Sequence, residues 1–238
     1  MICCILALLT AQVFVERNAV KLYFSPGACS MAPHIVLLET GLPFTLVAVD
    51  LRTQTTAGGA SYPSINPKGQ VPALELKDGT VLTEGPAITQ FLADMAPGAN
   101  LAPSNGTLER YQLVSLLNFI AAEIHKNFVP LFDRDAGEAV HRRARAALAT
   151  RLAYLEQQLG QEPRGRDFLT GDTFTIADAY LYAVLTWCGP VDLSLSDFNN
   201  LEAYVLRVGL RPSVQQALRA EGLLKAPAHR AGLNKARG

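Results

Sequence analysis

The sequence predicts an α/β domain followed by an all-helical domain, and three observations carry that expectation. The first third alternates short β-like runs with a helical stretch and ends in a hairpin signal, Lys77-Asp78-Gly79 between two apolar runs. Pro97, Gly98, Pro103 and Gly106 then break every periodicity, which reads as a linker. Beyond Thr107 the apolar residues recur at helical spacing throughout. A chain of 238 residues can bury one large core or two modest ones.

Residues 20–24 form an apolar run ended by Ser25-Pro26-Gly27, as a buried strand would be. Residues 32–39 place Ile35, Val36 and Leu38 at helical spacing before Gly41 and Pro43, a helix with a stop signal. Residues 44–49 make a second strand, and a loop with Thr53, Gln54, Thr55, Gly58 and Gly59 follows. Residues 71–76 and 80–82 flank the hairpin turn. Thr83-Glu84-Gly85-Pro86 opens a helix with Ile88, Phe91, Leu92 and Met95 inward. Strand-helix-strand and then hairpin-helix is the thioredoxin-like order.

In the second part, Leu113, Leu116, Leu117, Ile120 and Ile124 form one stripe of a long helix. A further helix is expected over residues 138–159. Thr175-Ile-Ala-Asp178 looks like a capping box before an apolar helix through Trp187, which makes Thr175 and Asp178 structural candidates. Shorter helices are expected near residues 199–208 and 213–220. The expected divisions are an apolar extension at 1–19, a thioredoxin-like domain at 20–98, a linker at 99–106, a helical domain at 107–224 and a basic tail at 225–238.

Composition excludes several function classes. Hydrophobic residues make up 49% and charged residues 18%, as expected for a packed globular chain. Net charge is zero, but Lys225, Arg230, Lys235 and Arg237 put +4 in the tail and so leave −4 elsewhere. No basic face is left to follow a phosphate backbone, so nucleic acid is not an expected partner. The four cysteines (Cys3, Cys4, Cys29, Cys188) form no C-x-x-C pair, and the four histidines are scattered; no metal is expected. Unpaired thiols suit a reducing compartment, hence the cytoplasm. The apolar start is too short for stable membrane insertion and lacks the basic flank of an export signal. It reads as an upstream extension, with a periplasmic location as the alternative if it does act in export.

Candidate chemistry gathers at a few positions. Cys29 follows a turn and precedes a helix, where backbone N–H groups and the helix dipole favour thiolate and should lower its pKa. A buried packing cysteine is the alternative. Val71-Pro72 opens an interior strand, which is awkward unless the bond is cis and the Val71 backbone pairs with a peptide ligand, Pro72 then being structural; a trans proline at a strand edge is the alternative, and Cys29 after a turn favours the cis form. Glu84-Gly85 at a helix start could cap the helix. It could equally meet the ammonium of an amino-acid end whose carboxylate takes the free N–H groups. Tyr111, Ser115, Asn118, Ala122 and His125, spaced 4, 3, 4 and 3, share a lightly polar helix face that makes His125 a candidate thiol neighbour.

Taken together, Ser-Pro-Gly-Ala-Cys-Ser, Ile-Asn-Pro-Lys-Gly-Gln-Val-Pro-Ala-Leu, Leu-Thr-Glu-Gly-Pro-Ala-Ile, Asn-Phe-Ile-Ala-Ala-Glu-Ile-His-Lys and Phe-Thr-Ile-Ala-Asp-Ala-Tyr resemble the bacterial beta-class glutathione S-transferases. The resemblance runs from about residue 20 to 224. It implies a thioredoxin-like domain, an all-helical domain, a homodimer, and glutathione as co-substrate with no metal. Cys29 would meet the glutathione sulfur and Val71 its cysteinyl backbone, while Glu84 and Gly85 would hold its γ-glutamyl end. Asn118, Ala122, Glu123, Ile124 and His125 would line the site, His125 near the sulfur. Where the family usually has a lysine after the second strand, Gln54 stands here, able to hydrogen-bond a glycyl carboxylate but without charge.

The implied reaction is attack of the glutathione thiolate on a hydrophobic electrophile, with Cys29 and His125 as its catalytic groups. Two rivals remain at the level of sequence. Cys29 could instead form a mixed disulfide with glutathione, as in a monothiol thiol transferase, or the fold could serve as a non-enzymatic ligand carrier.

Overall fold

The computed structural model describes residues 19–161 and 165–224, and the expected apolar extension and basic tail lie outside them apart from Ala19. Five strands build one sheet: β1 (Val20–Phe24), β2 (Phe44–Asp50), β3 (Thr55–Thr56), β4 (Ala73–Glu75) and β5 (Val81–Thr83), in the order β3-β2-β1-β4-β5. β1 runs parallel to β2, with Val20 beside Phe44, and antiparallel to β4, with Leu22 beside Leu74. The parallel pair requires a crossover, which α1 (Met31–Thr40) supplies. β3 falls in the stretch expected to be loop; two residues are too few to display alternation. The hairpin turn forms as expected: the Gly79 N–H donates to Leu76 O, and Gly79 takes φ 85°, where a side chain would be strained.

The remaining helices are α2 (Gly85–Met95), α3 (Leu108–Phe119), α4 (Lys126–Phe132), α5 (Glu138–Leu159), α6 (Ile176–Leu185), α7 (Asn199–Gly209) and α8 (Pro212–Ala220). The expected long helix is thus divided, because residues Ile120–His125 form a π-helical segment between α3 and α4. α6 stops before Trp187, which sits in a 3₁₀ turn instead. On α2, Ile88 and Leu92 are buried as expected, but Met95 at its last turn is exposed.

Two helices weld the parts together. Met31 to Leu37 of α1 are all buried, and so is every residue of α6. A helix apolar on all sides has to be covered on all sides. α1 packs against α6 and α8 on the face away from the sheet, so one continuous core runs through both parts. The polar exceptions inside it are paired. Asp178 accepts from the Thr175 and Leu169 backbone N–H groups at 2.8 Å each, from the Thr175 hydroxyl and from the Tyr204 hydroxyl, so the predicted capping box forms and does more than cap. Buried Arg110 on α3 grips Asp94 on α2 with both terminal nitrogens, at 2.8 and 2.9 Å.

Candidate functional site

The site grows from the turn between β1 and α1. Ala28 N–H donates to Ser25 O, the Ser25 N–H donates to the Ser30 hydroxyl, and the chain enters α1 at Met31. Cys29 lies half-buried at the mouth of this turn, and its thiol donates to Val71 O at 3.3 Å. Val71 and Pro72 are joined by a cis peptide bond, as the sequence suggested. The preceding carbonyl, Gln70 O, accepts from both the Tyr62 hydroxyl (2.9 Å) and Asn66 Nδ2 (2.7 Å), which hold the Val71 backbone in place.

The expected acidification of Cys29 is not what the structure gives. Burial pushes the thiol up to about 11, and the negative charge of Glu84 adds to the rise. The backbone N–H groups of Cys29 and Ser30 pull the other way but are outweighed. Cys29 also precedes the first helical residue by two positions, so the dipole reaches it weakly. At neutral pH it is a thiol and a hydrogen-bond donor.

Residues from beyond the linker clamp this turn. The Gly27 N–H donates to Glu221 Oε2 (3.0 Å), while its carbonyl accepts from Trp187 Nε1 (2.7 Å). Gly27 has φ 74°, and the Leu223 side chain lies 3.7 Å from where a Cβ would stand. The other Glu221 oxygen meets His34 Nδ1 of α1 at 2.9 Å, both groups being buried.

Glu84 precedes α2 with φ 72°, a conformation non-glycine residues adopt at a cost of about 1–2 kcal/mol. Its side chain makes no cap. It pairs at the surface with Lys68 Nζ (2.6 Å), which also reaches Thr83 Oγ1 (3.0 Å), so the first-turn N–H groups of α2 keep their donors free of a side-chain cap. Gly85 lies buried beside Pro72, with only ordinary contact distance to spare.

Gln54 is placed differently from its expected part. It too has positive φ (55°), and its amide nitrogen donates to Leu51 O (2.8 Å) and Gly69 O (3.1 Å). Both donors are engaged by the backbone, and the buried Oε1 has no hydrogen-bond partner among the described residues, 2.9 Å from where a Cβ on Gly69 would stand. Here Gln54 braces two loops and offers no donor to a carboxylate.

The helix face also changes. Tyr111, Ser115, Asn118 and Ala122 are exposed along one stripe, but His125 is half-buried and turned among aromatic rings. The π-helical turn explains the departure: with i→i+5 bonding each residue advances less around the axis, so side chains beyond it lag the α phase. Ile124 is fully buried in the core, and Glu123 turns to Arg151 of α5 (2.8 Å), so both of these side chains are engaged within the helical part. His125 Nδ1 lies 2.7 Å from the Tyr180 hydroxyl of α6, and its ring stands edge-on to Trp187 at 4.8 Å. Burial lowers the pKa of this imidazole, leaving it neutral at pH 7. Phe128 and half-exposed Phe132 of α4 complete an aromatic wall around Trp187.

Residues 27–95 match the family model for the glutathione S-transferase N-terminal domain, and residues 119–212 match that for its C-terminal domain. The chain belongs to the glutathione S-transferase family. It is 47% identical over 203 residues to glutathione S-transferase GstA of Escherichia coli O157:H7, covering 85% of this chain and 99% of that one. The structure of a bacterial beta-class glutathione S-transferase from Sphingomonas chungbukensis superimposes with a TM-score of 0.81 at 46% identity, covering 86% of this chain and all of that one. A sphingomonad glutathione S-transferase complexed with glutathione gives the same TM-score at 44% identity and the same coverage.

Within this family framework, sequence reasoning missed Lys68, Tyr180, Trp187 and Glu221. Lys68 and Tyr180 sit inside motifs that carry the resemblance, and Trp187 is the chain's one tryptophan. Glu221 had no such signal, because only folding brings it to a turn 194 residues away.

Proposed function

We propose that this glutathione S-transferase conjugates the glutathione thiol to hydrophobic electrophiles. The observation that carries the reading is the Cys29 thiol held against Val71 O beside a cis proline, one strand away from Glu84 and the uncapped start of α2. An extended γ-glutamyl peptide fits this arrangement. Its cysteinyl N–H replaces the Cys29 thiol on Val71 O, in the manner of an added strand. Its ammonium joins Glu84, displacing or sharing Lys68, and its α-carboxylate takes the N–H groups of Gly85 and Ala87. The glycyl carboxylate finds no charge at Gln54, so most of the recognition falls on the γ-glutamyl end.

Cys29, kept as a thiol, then donates to the bound glutathione sulfur and stabilises its thiolate, while His125 approaches from the opposite side. The thiolate attacks the electrophilic carbon. The aromatic wall of Phe128, Phe132 and Trp187 offers an apolar surface for that second substrate. A raised Cys29 pKa disfavours the mixed-disulfide rival, which needs Cys29 as thiolate.

Exposed Leu108 and Tyr111 at the start of α3 suit burial in a homodimer, which sedimentation velocity would detect. Unpaired Cys29 and Cys188 fit a cytoplasmic setting, and among the described residues no helix is long and apolar enough to cross a membrane. The test of function is Cys29→Ala, with conjugation of an aryl halide and glutathione-disulfide exchange measured separately. Conjugation reduced about tenfold is expected, the size of one hydrogen bond to a charged sulfur. Unchanged conjugation with abolished exchange would transfer the main role to thiol-disulfide chemistry.

A further inference from the structure

The His125–Tyr180 contact carries more than proximity. Tyr180 is buried, its hydroxyl makes one hydrogen bond among the described residues, and that bond is to His125 Nδ1 at 2.7 Å. A neutral imidazole has one N–H and one bare nitrogen, and its partner decides which is which. Two arrangements would give the same heavy-atom distance. Either Tyr180 donates its proton to a bare Nδ1, or an Nδ1–H donates to the Tyr180 oxygen.

The second arrangement leaves the Tyr180 proton without an acceptor in a buried position, a cost comparable to a lost hydrogen bond. The first satisfies both groups. It also uses the better donor and the better acceptor, since a phenol O–H is more acidic than a neutral imidazole N–H. Burial, reinforced by the negative charge of Glu84, raises the Tyr180 pKa and keeps that proton on the oxygen, and burial lowers the His125 pKa, which favours the neutral ring. The far nitrogen, Nε2, has no partner among the described residues and is not a buried unpaired atom, so it remains accessible.

We infer that Tyr180 is a positioning residue that donates to His125 Nδ1 and thereby fixes His125 as the Nε2–H tautomer, a hydrogen-bond donor to the glutathione sulfur. It follows that His125 does not take the thiol proton, which leaves to water. The sulfur is stabilised as thiolate by two donors, the Cys29 S–H and the His125 Nε2–H. The tautomer follows from the contact alone, and its use at the sulfur rests on the proposed glutathione site.

The experiment separates these layers. Two-bond ¹H–¹⁵N correlation spectra of the full chain, with His125 assigned by comparison with His125→Gln, should show the Nε2–H pattern at pH 7. An Nδ1–H pattern overturns the inference whatever the activity. In Tyr180→Phe the fixed pattern should give way to a mixture of tautomers, with kcat/KM for glutathione falling about tenfold. Should that variant fail to fold, the spectrum of the unaltered chain still decides the tautomer. His125→Gln keeps an N–H donor near the Nε2 position and has no basic nitrogen. It should retain kcat/KM within about fivefold, while His125→Leu loses at least tenfold. Equal loss in both variants overturns the donor role. An Nε2–H spectrum combined with full activity in His125→Leu leaves the tautomer standing and removes His125 from the proposed site.

Discussion

The Cys29 turn and the Gln54 loop, two loops of the candidate site, are held in opposite ways. The Cys29 turn is fixed from outside its own domain, with Glu221 on the Gly27 N–H, Trp187 on the Gly27 carbonyl and Leu223 against Gly27 itself. The Gln54 loop is held from within the domain, by one amide bridging Leu51 and Gly69, and keeps a buried oxygen without a partner among the described residues. The sulfur end is thus pre-organised by buried groups of both parts of the chain. The end facing Gln54 is braced locally, and Gln54 itself brings no charge to a ligand. Precision is concentrated at the Cys29 turn, where the proposed reaction forms its thiolate, in keeping with the strong dependence of catalysis on the placement of reacting groups.

The largest effect should come from breaking the clamp. Glu221→Ala removes the acceptor of a buried backbone N–H and leaves His34 without its partner, and should lower stability by about 3 kcal/mol in urea unfolding. Conjugation should fall further than Cys29→Ala alone explains, because the turn itself loosens. Lost stability with unchanged kcat/KM would make the clamp a scaffold feature with no bearing on the sulfur.

A second test concerns the ionisation of Cys29. Its pKa is raised, so the thiol form persists through neutral pH and thiolate gains as pH climbs toward about 11. Alkylation of Cys29 by iodoacetamide in the ligand-free protein should therefore be slow at pH 7 and rise about tenfold per pH unit between 7 and 10. A rate already flat above pH 7 would restore the acidified cysteine that its sequence position suggests. The same sign holds for stability. The unfolded chain, with an ordinary thiol, ionises first, so the contribution of Cys29 is present below pH 9 and is lost as pH rises toward 11.

The smallest effect belongs to the other loop. Gln54→Ala should cost about 1 kcal/mol through the lost brace, yet change KM for glutathione less than twofold, since neither amide donor is available to a ligand. A tenfold rise in KM with little loss of stability would instead put Gln54 on the glycyl carboxylate and make the two loops equal partners in binding.

Much of this was legible in the chain. The hairpin turn, the helix stop at Gly41 and the capping box at Thr175 and Asp178 are local devices, fixed by residues a few positions apart, and they form where the sequence puts them. Met95 and the His125 face were misjudged for one reason: both presume an unbroken α-helical phase and a fixed inward side. The π-helical turn at Ile120–His125 changes the first, and the position of Met95 as the last residue of α2, beyond the covered face, changes the second. Glu123 turns to α5 through the same change of phase, while Ile124 keeps the core side that the leucine stripe gives it.

The sequence by itself determined the family, the order of elements and the candidate groups of the site, because spacing and turn chemistry are properties of neighbours along the chain. Only the tertiary structure decided their states. Whether Cys29 is thiol or thiolate, whether Gln54 is free or engaged, and which nitrogen of His125 carries a proton depend on burial and on partners from distant segments, among them Val71, Gly69, Tyr180 and Glu221. Ionisation and hydrogen-bond direction are set by the surrounding dielectric and by the nearest donor or acceptor. Neither exists until the chain has folded.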